Sequence, residues 1–90
     1  MGNNEFIEIA KEAVVSYHNQ GKSKGDAIRT IDDVYIVWLS KTLQNNKALL
    51  STTVSDGMYY EATYNGDKQE LYLDVYKKFE NKCIKLESEV

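Results

Sequence analysis

The chain has 90 residues, 42% of them hydrophobic and 28% charged, which is the composition of one small globular domain rather than of a disordered chain. Its formal net charge of −3 disfavours a general surface for duplex nucleic acid, and no apolar run approaches the roughly 18 residues of a membrane-spanning helix. The single cysteine, Cys83, excludes an intramolecular disulfide and, with no signal-peptide pattern at the amino terminus, favours the cytoplasm.

The first predicted element is a helix that starts at an Asn3 or Asn4 cap and ends at Gly21. Apolar residues recur along it at intervals of three and four, as one helical face requires: Phe6, Ile9, Ala10, Ala13, Val14 and Tyr17. His18 near its end is expected to be exposed or to contact the helix terminus rather than to act in catalysis. Residues 21–30 then predict a connecting loop with a short helical turn around 26–29.

Three antiparallel strands are predicted next, over 33–42, 48–54 and the stretch that begins at Met58. Asn45–Asn46 and Ser55–Asp56–Gly57 supply the turns between them. In the first strand, strict alternation places one set of side chains on one face (Val34, Ile36, Trp38) and a second set on the other (Tyr35, Val37, Leu39). Because both sets are apolar, the strand is either central in its sheet or completed by a partner on one face.

The third strand alternates more clearly between an apolar and a polar face. Met58, Tyr60, Ala62 and Tyr64 form the apolar set, and Tyr59, Glu61 and Thr63 form the other. We therefore expect Tyr60 and Tyr64 in the core and Tyr59 at the surface. Glu61 is expected to be a solvated carboxylate rather than a general base.

A last helix is predicted from Asp67, where Glu70 three residues later resembles a capping box. Its apolar face contains Leu71, Tyr72, Val75, Tyr76, Phe79, Cys83 and Leu86, which makes Cys83 a small buried hydrophobe. The predicted fold is α+β in the order α-β-β-β-α, a three-stranded antiparallel meander with two helices packed on one face.

The sequence contains no phosphate-binding glycine loop, dinucleotide fingerprint or nucleophile elbow. With one histidine and one cysteine, a structural zinc site would need unusual help from carboxylates. We therefore predict no catalytic residues, no metal and no cofactor.

Two polar stretches are candidate ligand sites. The segment "KTLQNNK" places Lys41, Thr42, Gln44, Asn45, Asn46 and Lys47 around a hairpin tip, with amide and ammonium groups that suit a nucleotide base or phosphate. The segment "YYEATYNGDK" adds Tyr59, Tyr64, Asn65 and Lys68, combining flat rings with the anion-binding amides of the predicted helix start. An ordinary polar hairpin and ordinary turn and cap chemistry would explain the same residues.

Residues 32–84, "DDVYIVWLSKTLQNNKALLSTTVSDGMYYEATYNGDKQELYLDVYKKFENKCI", and 5–15, "EFIEIAKEAVV", give the chain a resemblance over nearly its whole length. It is similar to a family of small proteins of unknown function from phages and prophages of Gram-positive bacteria. The resemblance implies a host bacterial cytoplasm and an accessory protein made during infection. It transfers no residue roles, because the family has no assigned catalytic positions.

The leading hypothesis is a non-enzymatic phage binding protein that counters host defence, in its specific form by sequestering a nucleotide-like signalling molecule. The main alternative is a protein inhibitor that covers a host protein with its sheet or its acidic helix. A nucleic-acid accessory factor would need a basic groove. We also expect a homo-oligomer, because one sheet face would leave its side chains uncovered (Tyr35, Val37, Leu39, Leu49, Tyr59) and a ligand would fit between subunits.

Overall fold

In the computed structural model, which describes residues 1–21 and 29–87, one helix covers one face of a four-stranded antiparallel sheet. The elements are α1 (Asn3–Asn19), a 3-10 turn (Ile31–Asp33), β1 (Val34–Thr42), β2 (Asn45–Thr52), β3 (Met58–Asn65) and β4 (Glu70–Lys77). The strands follow chain order, β1-β2-β3-β4. The α+β class is confirmed, with one helix and four strands in place of two and three. Residues 22–28, on which the predicted loop and most of its helical turn fall, lie outside the described part.

Helix α1 packs on the sheet through the predicted stripe. Phe6, Ala10 and Val14 are fully buried, and their spacing of four residues keeps them on one side of the helix. The predicted asparagine cap is wrong, because Gly2 is the N-cap and its carbonyl accepts the Phe6 N–H at 3.0 Å. Gly21 follows the helix with a φ of 79°, as the predicted stop requires.

The core lies between α1 and the first three strands. Its sheet residues are Val34 in β1, Ala48 and Leu50 in β2, and Tyr60 and Ala62 in β3. Tyr60 is buried as predicted, and Tyr64 is half-buried against the core. The two-residue period of β3 thus places its apolar set against the helix.

A bulge in β1 overturns part of the predicted alternation. The register shifts between Ile36 and Trp38, so that Ile36 pairs with Leu50 and Trp38 pairs with Leu49. Directly opposite residues share a sheet face, so Leu39, opposite Ala48, points to the helix side and Trp38 to the other side. One extra residue at a bulge reverses the faces of everything that follows it in the strand.

The predicted turn at Asn45–Asn46 is also wrong by two residues. The chain reverses at Leu43 and Gln44, and Asn45 pairs with Thr42 as the first residue of β2. Leu43 adopts a left-handed φ of 55°, a conformation that asparagine adopts more readily than leucine. Antiparallel pairing with β1 along the whole of β2 fixes this position more strongly than the local preference of asparagine does.

The predicted last helix is wrong, because residues 70–77 form β4 and pair with β3. Leu71, Leu73 and Val75 are half-buried against the core, whereas Tyr72 and Tyr76 point to the opposite face. Residues 78–87 form no regular element, and we call them the C-terminal arm. Phe79 and Cys83, predicted to be buried in the helix, are both exposed in the arm.

Raising the pH above 10 should destabilise the protein through Tyr60. Burial, then the charge of Asp56 and the neighbouring Tyr17, raise the pKa of Tyr60 above the usual 10.0. Below pH 10 both states keep this phenol neutral. As the pH rises further, the unfolded chain loses its proton before the folded chain does, so stability falls.

The test is the free energy of unfolding, measured in urea between about pH 9 and 11.5. We expect a steeper fall for the wild type than for Tyr60→Phe, which keeps the ring and its edge-to-face contact with Tyr17 at a centroid distance of 6.0 Å. The other tyrosines and the lysines also change the free energy of unfolding with pH. Both proteins contain them, so their contributions cancel in this comparison. Parallel curves for the two proteins would show that Tyr60 ionises as freely in the folded state as in the unfolded chain.

Candidate functional site

The sheet face opposite α1, here called the open face, has no helix packed on it among the described residues and is rich in aromatic side chains. Its rings are Tyr35, Trp38, Tyr59, Tyr72 and Tyr76, with Tyr59 directly opposite Tyr76. Tyr35 and Tyr72 are both 47% exposed, Trp38 is 41% and Tyr76 is 51%. A surface of this kind on a small protein is typical of a binding face.

Glu61 lies at the centre of the open face, and each of its carboxylate oxygens has a partner. Lys47 approaches one carboxylate oxygen at 3.1 Å, and the Tyr76 hydroxyl donates to the other at 3.1 Å. The hydrogen bond to Glu61 raises the pKa of Tyr76 above its ordinary value. Glu61 is therefore not the freely solvated carboxylate that the sequence predicted, because its two oxygens fix the positions of Lys47 and Tyr76.

A cleft of about 490 Å³ opens at the end of this face where β2 connects to β3. We call it the Tyr59 cleft. Two tyrosines, four serine and threonine residues and one lysine are among the residues that line it: Tyr35, Ser51, Thr52, Thr53, Val54, Ser55, Gly57, Tyr59 and Lys78. The volume falls within the about 300–1,000 Å³ typical of small-molecule sites.

Local hydrogen bonds hold the connection that forms the wall of the Tyr59 cleft. The Val54 N–H donates to the Thr52 hydroxyl at 3.2 Å, and the Met58 N–H donates to the Asp56 carboxylate at 3.1 Å. The Ser51 hydroxyl donates to the Met58 carbonyl at 2.8 Å, which ties the two strands together. These side chains form hydrogen bonds with backbone groups that the sheet leaves unpaired. The hydrogen bonds hold the connection in one conformation.

Gly57 and Lys78 close the other side of the cleft. The Lys78 N–H donates to the Gly57 carbonyl at 2.7 Å, one residue beyond the end of β4. Gly57 adopts a φ of 72°, which a residue with a side chain rarely does. The bond fixes the backbone of Lys78 at the rim of the cleft.

A second, apolar depression of about 420 Å³ lies beside the cleft. We call it the Leu49 trough, and Leu49, Tyr59, Tyr76, Lys77 and Lys78 line it. Tyr59 and Lys78 belong to both depressions and separate them. A ligand in the cleft would therefore touch the wall of the trough.

Comparison with known proteins gives a family but no function. A protein-family model described as a family of unknown function, DUF6275, matches residues 7–86. The chain belongs to that family. This confirms that the chain belongs to an uncharacterised family. No curated protein and no solved structure matches the chain.

The structure brings part of the predicted ligand site together at the end of the sheet opposite the Tyr59 cleft. Asn45 lies opposite Asn65, and the Gly66 N–H donates to the Gln44 carbonyl at 3.1 Å, so the two turns touch. Lys68 lies in the turn between β3 and β4, where its N–H donates to the Asn65 side chain at 3.2 Å. The predicted helix start near Lys68 is wrong, because residues 66–69 are a turn between strands.

The remaining predicted site residues are dispersed. Lys41 donates to the Met1 carbonyl at 3.0 Å, and Lys47 belongs to the Glu61 cluster on the open face. Thr42 is exposed and lies opposite Asn45 beside the first turn, whereas Asn46 and Tyr64, opposite each other, face the helix side. Asn46 is 1% exposed, which removes it from a surface site.

Of the predicted residues, Tyr59 alone lines the Tyr59 cleft. Sequence reasoning missed Tyr35, Thr53, Ser55 and Lys78 as cleft residues. The alternation of Tyr35 and Tyr59 pointed to one shared face, but Lys78 was assigned to a helix. Its place at the rim depends on β4 being a strand.

His18, predicted to be exposed or in contact with the helix terminus, lies in the last turn of α1 with its ring 3.9 Å from the Asp56 carboxylate. Within residues 1–21 and 29–87, no three His, Cys, Asp or Glu side chains cluster closely enough to bind a metal ion. Over the same ranges, no helix has the length and apolar character needed to cross a bilayer.

Proposed function

We propose that this protein is a non-enzymatic phage or prophage protein that counters host defence in the bacterial cytoplasm by sequestering a nucleotide-derived signalling molecule in the Tyr59 cleft. One observation carries the proposal. Tyr35, Tyr59, Lys78 and four serine and threonine residues line one cleft of about 490 Å³ on the uncovered sheet face.

Each group in the cleft matches one part of a nucleotide. The rings of Tyr35 and Tyr59 offer surfaces on which a base stacks, a contact worth about 1–3 kcal/mol per base. Lys78 supplies a positive charge for phosphate, and the hydroxyls of Thr53 and Ser55 can donate to phosphate or sugar oxygens. The net charge of −3 makes this local cation, rather than a general basic surface, the source of anion binding.

The lining of the cleft favours binding over turnover. Proton transfer most often employs an imidazole or a carboxylate, and none of the residues that line the cleft has either group. The carboxylate of Asp56, between the lining residues Ser55 and Gly57, accepts the Met58 N–H, and Glu61 on the open face already binds Lys47 and Tyr76. Retention of an unchanged ligand is the outcome that these groups support.

Native mass spectrometry with separate additions of AMP, a cyclic dinucleotide and inorganic phosphate tests the proposal. We expect a nucleotide adduct that phosphate alone does not displace at equal concentration. Tyr35→Ala should weaken nucleotide binding by about 5- to 150-fold, the equivalent of one stacking contact.

Tyr72→Ala is the matched control, because Tyr72 has the same 47% exposure on the same face but lies outside the cleft lining. Its nucleotide affinity should stay within about twofold of wild type. Equal losses for the two variants, or no nucleotide adduct at any concentration tested, would contradict the proposal.

The second candidate is a protein inhibitor that covers a host protein with the open face. Trp38, Tyr72 and Tyr76 favour it, because these exposed rings extend beyond the cleft and aromatic residues are enriched at protein interfaces. Stoichiometric capture of one host protein from infected-cell extract, lost in Trp38→Ala, would support this candidate over nucleotide binding.

A further inference from the structure

The C-terminal arm leaves the sheet with its apolar side chains uncovered. Phe79 is 97% exposed, Ile84 is 72% and Leu86 is 87%. Burying apolar surface is favourable by about 25 cal/mol of free energy for each Å² removed from water. Three large apolar side chains in ten residues therefore favour a location where they are covered. The arm therefore has the composition of a segment that lies on another surface.

The Leu49 trough offers an apolar surface, and the arm begins at its edge. Lys78, the first residue of the arm, lines the trough. The hydrogen bond from the Lys78 N–H to Gly57 extends the β3–β4 ladder past Lys77, so the arm starts in line with β4. The longest dimension of the chain is 52 Å. This is about twice the length of an eight-residue strand, so the structure extends well past the ends of its strands.

The open face and the arm contain groups of opposite charge. Glu61 and Asp74 lie directly opposite each other on neighbouring strands, an unfavourable pair of like charges. Lys47 compensates Glu61, which leaves the charge of Asp74 unbalanced among the described residues. Lys82 and Lys85 lie close to Ile84 in the arm, and Glu80 and Glu87 leave residues 79–87 without net charge.

We propose that two copies of this chain associate by exchanging arms, with residues 79–87 of each copy lying across the Leu49 trough of the other. Lys82 and Lys85 then approach Asp74 of the neighbouring copy. The exchange is reciprocal and closes with twofold symmetry, which prevents open-ended assembly. It does not depend on the proposed ligand, although a seated arm would close one side of the Tyr59 cleft.

The course of the arm favours a second copy over its own trough. To reach its own open face, the arm would have to reverse direction soon after Lys78. Residues 78–87 contain neither glycine nor proline, and only Asn81 among them is a common turn residue. A twofold-related copy receives the arm without such a reversal.

Sedimentation equilibrium without nucleotide tests the association. We expect the full chain to sediment at twice 10.3 kDa at tens of micromolar, and a chain ending at Lys78 to sediment as a folded monomer. Ile84→Asp with Leu86→Asp should weaken the dimer by about 100-fold or more, since two apolar anchors are lost. Leu43→Asp, at an 89% exposed position in the first turn, should leave the dimer unchanged. A monomeric full chain, or a dimer that survives removal of the arm, would overturn the proposal.

Cross-linking from Cys83, the single cysteine, distinguishes an arm that lies on the other copy from an arm that folds back onto its own sheet. A benzophenone attached to this exposed thiol is irradiated in a mixture of unlabelled and nitrogen-15-labelled copies. We expect products that join the arm of one copy to β2 or β4 of the other. Products confined to single copies would show that each arm covers its own sheet.

Discussion

Phe6→Ala should lower the free energy of unfolding by about 3–5 kcal/mol. Phe6 is completely buried where α1 crosses the sheet, and it lies in one cluster with Ala10, Leu50 and Tyr60. Removing its ring loses the transfer free energy of the side chain and leaves a cavity that neighbouring residues fill only in part. Urea unfolding followed by circular dichroism measures the effect.

Phe79→Ala is the matched control, because it deletes the same atoms from a ring that is 97% exposed. Measured below the protein concentration at which the arms exchange, its stability should stay within about 0.5 kcal/mol of wild type. If Phe79→Ala were as destabilising as Phe6→Ala, residues 78–87 would pack as the helix that the sequence suggested.

Gly66→Ala should destabilise the fold by about 1–3 kcal/mol, as overpacking typically does. A Cβ at this position would meet the backbone carbonyl oxygen and Cβ of Gln44, at separations where backbone must move. Gly66 also donates its N–H to that carbonyl at 3.1 Å, so relief of the clash would break the bond between the two turns. The same urea experiment measures the loss.

Asp67→Ala controls for the Gly66 substitution, since it introduces alanine at the next, exposed position of the same turn. We expect a change within about 0.5 kcal/mol. A neutral Gly66→Ala would mean that the turns at Gln44 and Gly66 do not touch.

The helix α1 and strand β3 were predictable because their periods are unambiguous. Phe6, Ala10 and Val14 repeat every four residues, whereas Tyr60 and Ala62 alternate with polar neighbours. Residues 70–77 fit both periods, because Leu71 and Val75 are four apart while Leu73 lies between them. Pairing with β3 decides in favour of the strand, and a local pattern contains no information on that partner.

The bulge at Val37 and the turn at Leu43 could not be predicted for a related reason. Both depend on the register between β1 and β2, which buries Ala48 and Leu50 under the helix. The residues that meet in a site on this sheet depend on the same register. Tyr59 was identified from its own alternation, but Tyr35 and Lys78 join it only through strands distant in sequence.

A backbone amide NMR titration with AMP tests the central claim most directly, because it locates the ligand without assuming a face. We expect the largest shifts at residues 51–55 and at Tyr35, Tyr59 and Lys78. Inorganic phosphate at equal concentration should produce smaller shifts, confined to the region of Lys78. Largest shifts at Gln44–Asn46 and Asn65–Lys68 would place the site at the paired turns and contradict the Tyr59 cleft.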